Sequence, residues 1–185
     1  VLTDDELRAL LDVCKGTGFD QRRDTAIVRL FIDSGIRRAE MATIQLDDVD
    51  LDAGAALVHG KGNRYRHAPF GSRTTEALDR YLRIRRRHRL ANRPELWLGV
   101  RWPLTDSGVS QMLERRAATA GIADMTPHRF RHTFAHQWLA AGGAEGDLQA
   151  LAGWRSPQML ARYGASARAE RAAAAHKHLG PGDRL

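Results

Sequence analysis

The chain has 185 residues, 43% of them hydrophobic, which suits one domain with a sizeable core and excludes wholesale disorder. Its 29 Lys and Arg against 22 Asp and Glu give a formal net charge of +7, a balance that favours a polyanionic partner, nucleic acid first. No apolar run approaches the length of about 18 residues that a membrane span needs, and no secretory signal pattern opens the chain, so it reads as soluble and intracellular, without membrane contact.

A single cysteine, Cys14, rules out an internal disulfide, and no Cys/His cluster has zinc-finger spacing. Thr3 followed by Asp4, Asp5 and Glu6 has the chemistry of an N-cap and a dipole-matched first turn. Leu7, Leu10, Leu11 and Cys14 follow at helical spacing, which makes Cys14 a small core residue. A second helix is predicted over Asp20–Ser34 with Ile27, Leu30 and Phe31 as its stripe; Gly35 breaks it, and a short helix carries Arg37 to Thr43. The period then changes. Ala55–His59 and Tyr65–Phe70 are strand-compatible runs around Gly60-Lys61-Gly62-Asn63, which reads as a hairpin turn. Ser72 is the predicted cap of a long helix holding Leu78, Tyr81 and Leu82, and Leu96–Gly99 a further short strand. Helices are predicted over 107–120, 127–141, 145–152, 156–162 and 167–178. The expected architecture is mostly α with a small antiparallel β element. Val1 is not an initiator methionine and a helix start follows at once, so the chain reads as a domain excised from a longer protein.

Thr126-Pro-His-Arg-Phe-Arg-His-Thr-Phe is the most informative segment. On a helix, offsets of three and four residues place His128, Arg131 and His132 in one sector, with Phe130 and Phe134 turned toward the core. Imidazole and guanidinium on one face suit a phosphate, because Arg forks onto two oxygens and His donates a hydrogen bond or a proton. A solvated basic face is the plainer reading of the same residues. Four other elements stand in order around it: Gly35-Ile36-Arg37 with Glu40 one turn on, the Gly-flanked Lys61, Leu151-Ala152-Gly153-Trp154, and Tyr163 nine residues after Trp154. Singly, Lys61 is a turn lysine, Trp154 a core aromatic and Tyr163 a helix-end tyrosine. The basic run Arg83, Arg85, Arg86, Arg87 and Arg89 reads equally as a solvated face or as phosphate contact.

In this order and spacing the five elements, which span Gly35 to Tyr163, resemble the tyrosine recombinase (phage integrase) family. Trp154 stands where His is commoner, keeping an N–H donor but no acid-base function, and Ala152 where Gly is usual. The resemblance implies the DNA breaking-rejoining fold of that family's catalytic domain over residues 1–179, a 180–185 tail, and an N-terminal DNA-binding domain outside this chain. It implies a site-specific recombinase or integrase acting through a 3′-phosphotyrosyl intermediate, with no cofactor, metal or ATP. Tyr163 would be the nucleophile, Arg37 and Arg131 the phosphate clamp, and Lys61 the donor to the leaving 5′-oxygen. His128 would serve as acid-base group or phosphate donor and Trp154 as an indole N–H donor, with Glu40 and His132 in support. The implied partners are a double-stranded DNA recombination site and further copies of the chain, a homo-oligomer (a tetramer on DNA) whose helix 167–178 docks onto a neighbouring protomer. The implied setting is a prokaryotic cytoplasm, at the nucleoid. Type IB topoisomerase relaxation, a non-catalytic DNA-binding module and a helical protein-interaction domain are the rival readings.

Overall fold

The computed structural model describes residues 1–60 and 64–154, together with 156, 158, 160, 172, 173, 175–177 and 182. Thr3 opens α1 (Asp4–Val13) as expected. Its hydroxyl accepts from the Glu6 N–H at 3.1 Å, and the Glu6 carboxylate accepts from the Thr3 N–H at 2.7 Å, a reciprocal capping box. The backbone hydrogen bond at Thr3, with Arg129 assisting, holds the Glu6 carboxyl below its ordinary range.

α2 (Phe19–Ser34) is the central helix, packed against α4 and α6. Its predicted stripe, Ile27, Leu30 and Phe31, is fully buried. Gly35 ends it in the left-handed region at φ +53°, its N–H donating to Phe31 O at 3.0 Å. A methyl group built on Gly35 would lie 2.6 Å from Phe134 Cδ1, so both backbone and space demand glycine there.

α3 (Arg38–Thr43) and a 3-10 turn, Leu46–Asp48, lead into β1 (Val49–Asp50). Sequence reading does not predict β1, because two residues are too few to show alternation. β2 (Ala55–Gly60) and β3 (Arg64–Pro69) form the expected hairpin in an antiparallel sheet of order β1-β2-β3. The register pairs Val58 with Arg66 and Gly60 with Arg64. Its tip, residues 61–63 with Lys61, lies outside the described residues. β2 rests on α3 and β3 on α7.

α4 (Ser72–Arg85) buries Ala77, Leu78 and Tyr81. Gly71, not Ser72, is its N-cap, and Ser72 is the first helical residue. The strand expected at Leu96–Gly99 does not form: Leu96, Trp97 and Leu98 are buried, and only an isolated Leu98–Pro103 bridge marks the run. Its backbone is satisfied group by group instead. Tyr81 Oη donates to Leu96 O at 2.8 Å and accepts from the Leu98 N–H at 3.0 Å, while the Leu96 N–H donates to Ile44 O at 2.9 Å. A buried apolar run imitates a strand whenever side chains and loops supply its partners. Arg85 resolves one ambiguity in the basic run: it is 2% exposed and donates to the carbonyls of Leu96, Ala91, Arg93 and Glu95. It therefore neither lies on a solvated face nor reaches a phosphate.

α5 (Asp106–Thr119), α6 (Pro127–Ala140) and α7 (Glu145–Ala152) complete the described helices close to their predicted bounds. The helices expected at 156–162 and 167–178 fall largely outside the described residues, as does Tyr163. Two hydrophobic clusters hold the fold. α6 gives Phe130, stacked on Phe31 at 5.3 Å, to the larger, and Ala135 and Leu139 to the smaller, which also contains Ala152 and Trp154. No described helix is long and apolar enough to cross a membrane.

Cys14 is fully buried, and burial pushes its thiol up to about 12. At pH 9 an ordinary thiol (about 8.5) is mostly thiolate, whereas roughly a thousandth of Cys14 is ionised. Native protein is therefore expected to take up iodoacetamide at Cys14 at least ~100-fold more slowly than urea-unfolded protein, read by mass spectrometry. Because the folded value is raised, Cys14 stabilises the fold fully below about pH 8.5, and that contribution is lost as pH rises toward 12.

Candidate active site

Arg37 is the N-cap of α3 in extended conformation, φ −76° and ψ 153°. Glu40, three residues on, accepts from the Arg37 backbone N–H at 2.9 Å through Oε2 and from the Arg37 guanidinium at 2.8 Å through Oε1. The carboxylate is buried, whereas the Arg37 side chain is 42% exposed. One residue thus anchors both the base and the guanidinium of a partly exposed arginine. Glu40 Oε2 also pairs with Arg66 Nη2 at 2.7 Å, so one carboxylate holds two guanidinium groups.

Arg131, on α6, is 3% exposed. Its Nη1 donates to Gly35 O at 2.8 Å and its Nη2 to Ala152 O at 2.5 Å. Arg37 Nη2 donates to the next carbonyl, Gly153 O, at 3.2 Å. The last carbonyls of a helix have no partner inside it and carry the negative end of its dipole. At α7 two arginines take these carbonyls up. Gly153 closes that helix in the left-handed region at φ +62°, and Trp154 follows directly. The Arg131 guanidinium lies 5.2 Å from the centre of the Trp154 ring, which is 5% exposed. Cation and indole at that distance attract each other.

His128, in the first turn of α6, is exposed, with its ring centre 6.2 Å from that of His132. Arg37, His128 and Arg131 line one cleft of about 590 Å3, together with Arg38, Ser110 and Glu114. Arg37, Glu40, Arg66 and Trp154 line a second, of about 860 Å3, into which the largely exposed Tyr65 also projects. Arg37 belongs to both. The structure therefore brings Arg37, Glu40, His128, Arg131 and Trp154 to one locality, with His132 adjacent through His128. Lys61 and Tyr163 lie outside the described residues. Among the described residues no three His, Cys, Asp or Glu side chains converge as a metal site would.

Sequence reading missed Arg66. It stands on β3, in a run with charged or polar side chains on both faces, and nothing in its neighbours singles it out. Pairing with Val58 across the hairpin turns it toward Glu40, a relation that only the folded register defines.

Comparison with known proteins bears on this arrangement. Residues 1–170 match the profile of the phage integrase family. The chain is 33% identical over 162 residues to tyrosine recombinase XerC of Staphylococcus carnosus (strain TM300), covering 86% of this chain and 55% of that protein. In fold it resembles XerA recombinase, with a TM-score of 0.80 and 28% identity over 88% of this chain and 57% of that one. It also resembles the XerH site-specific recombinase bound to a palindromic difH substrate, with a TM-score of 0.78 over 95% of this chain and 52% of that one; at 21% identity this second likeness is one of fold. The chain spans about half the length of the curated relatives it matches. With a mostly helical fold, a three-stranded antiparallel sheet and this match over nearly its whole length, the chain belongs to the phage integrase family, as a tyrosine recombinase catalytic domain of the XerC-like kind.

Proposed function

We propose that residues 1–179 form the catalytic domain of a site-specific recombinase that cuts and rejoins double-stranded DNA through a covalent link to Tyr163. The observation that carries the reading is the pair Arg37 and Arg131, fastened to successive carbonyls of one helix end with His128 and Trp154 beside them. Guanidinium groups held in place before the reaction stabilise charge that develops on phosphate oxygens without reorganising. Tyr163 Oη attacks phosphorus, forming a 3′-phosphotyrosyl bond as the bond to the 5′-oxygen breaks. The phenolic proton passes to His128, and Lys61 protonates the leaving oxygen, a role worth roughly 10²–10⁴ in rate. The link conserves the bond energy, so a second strand's 5′-hydroxyl reverses the step without ATP. Trp154 donates its indole N–H toward the phosphate, and Glu40 and His132 support Arg37 and His128. The protein acts as a homo-oligomer, a tetramer on DNA, with helix 167–178 docked onto a neighbouring protomer, in a prokaryotic cytoplasm at the nucleoid. The Tn1549 transposon integrase, whose fold this chain shares with a TM-score of 0.76, is in complex with transposon right end DNA, which supports DNA as the partner here.

The test uses the intact protein and nicked duplexes from a randomised-sequence library, enriched for retention by the wild type. Detergent-resistant protein–DNA adducts are expected with the wild type and not with Tyr163→Phe. Equal adducts in both, or none with duplexes that bind, would overturn the reading.

A further inference from the structure

Arg66 is the one member of the arginine cluster that has no task in the proposed chemistry. Its side chain is 15% exposed, and its Nη2 is spent on Glu40. Nε and Nη1 are buried and have no hydrogen-bond partner among the described residues. Leaving such donors without partners is costly, and more so for a charged group. Burial accordingly pushes the guanidinium down from its ordinary value, with the Glu40 charge opposing.

The rest of the side chain lies on the turn after α7. A methyl group built on Gly153 would stand 2.8 Å from Arg66 Nε and 3.1 Å from Arg66 Cδ. Arg66 thus covers the turn whose carbonyl receives Arg37 and whose next residue is Trp154. It joins three elements that share no stretch of chain: the hairpin through β3, α3 through Glu40, and the end of α7 through Gly153. With Nε and Nη1 shut away from solvent and Nη2 spent on Glu40, Arg66 presents no exposed donor in this structure.

We propose that Arg66 is a positioning residue for the strand-cutting reaction: clamped between Glu40 and Gly153, it sets the Arg37 guanidinium and the Trp154 indole relative to the phosphate. This rests on the recombinase reading of the site. It makes the hairpin that carries Lys61 and the turn that carries Trp154 parts of one frame, so displacing either moves the phosphate clamp.

Single-turnover adduct formation is compared in the intact protein for wild type, Arg66→Met, Arg66→Lys, Glu40→Gln and the Arg66→Met/Glu40→Gln double variant. A misplacement of about 1 Å costs up to ~10²-fold in rate, so Arg66→Met is expected to cut about 10–100-fold more slowly. Duplex affinity is expected to stay within about twofold, with an unchanged salt dependence, since no phosphate contact is lost. Arg66→Lys keeps a cation for Glu40 but cannot lie flat on Gly153, and should recover part of the rate. The double variant should be no slower than its slower parent, because both substitutions break one route. A second readout needs no activity: the Trp154 indole N–H resonance of DNA-free protein, assigned with Trp154→Phe, is expected to shift in Arg66→Met.

Unimpaired cutting by folded Arg66→Met, a flatter salt dependence, additive losses in the double variant, or equal rates for Lys and Met would each overturn the proposal. So would an unmoved Trp154 resonance, even if the wild type forms no adduct. Absence of a wild-type adduct counts against the recombinase reading, whereas a normal wild-type adduct with unimpaired Arg66→Met counts against this one alone.

Discussion

Arg131→Ala is expected to slow covalent capture of nicked DNA by about 10²–10³-fold, the usual loss when one preorganised donor to a reacting oxyanion is removed. The side chain is not simply a free charge. With two of its N–H groups committed to Gly35 O and Ala152 O, the guanidinium has one orientation. Alanine also leaves those two carbonyls without the arginine, at about 1–3 kcal/mol for each that water does not reach. Lysine distinguishes the two losses. Its ammonium restores the charge, yet a point donor cannot span Gly35 O and Ala152 O while presenting a fork to phosphate. Arg131→Lys should therefore melt closer to the wild type than Arg131→Ala does, and still cut at least ~10-fold more slowly than the wild type. Thermal melts and single-turnover rates, taken below the lower melting temperature, check both halves. A lysine variant that cuts at the wild-type rate would remove Arg131 from the phosphate site.

The helices were legible because their signals are local. Thr3 with Glu6 three residues on, the Ile27, Leu30 and Phe31 stripe, and Gly35 and Gly153 at helix ends each express a rule that operates within a few residues. Arg37, His128, Arg131 and Trp154 were legible as a set only through their order, since each alone has a commoner structural use. What stayed hidden depends on distant partners. Leu96–Gly99 reads as a strand because periodicity reports burial and not who supplies the hydrogen bonds; in the fold, Tyr81 and Ile44 do. Arg85 reads as a surface charge because nothing in its own helix reveals the four carbonyls that fold back over it. The same blindness covers Arg23 and Arg116, which flank the buried Asp24 carboxylate at 2.8 Å each, with Arg116 arriving from α5. Arg66 belongs to this group.

Glu40→Ala is expected to be the most destabilising single change at the site. One buried carboxylate neutralises Arg37 at 2.8 Å and Arg66 at 2.7 Å, so its removal leaves two cations facing each other. Breaking a buried ion pair by deleting one member typically costs about 3–5 kcal/mol, because the partner stays buried and uncompensated. Arg37 is 42% exposed and rehydrates, which places the expectation near the lower end, whereas Arg66, 15% exposed, does not. For a chain of this length about 3 kcal/mol corresponds to a fall of roughly 6–12 °C in Tm. Glu40→Gln keeps the shape and one carbonyl acceptor but turns an amide NH2 toward one of the arginines, so it should lose less stability than Glu40→Ala. Its cutting rate should nevertheless fall, since Arg37 is no longer held by charge from beneath. A melt of Glu40→Ala within about 1 °C of the wild type would mean that the two guanidinium groups are stabilised by something other than this carboxylate. The energetic coupling of Arg37, Glu40 and Arg66 would then fail as a unit, because each of the three owes its position to the other two.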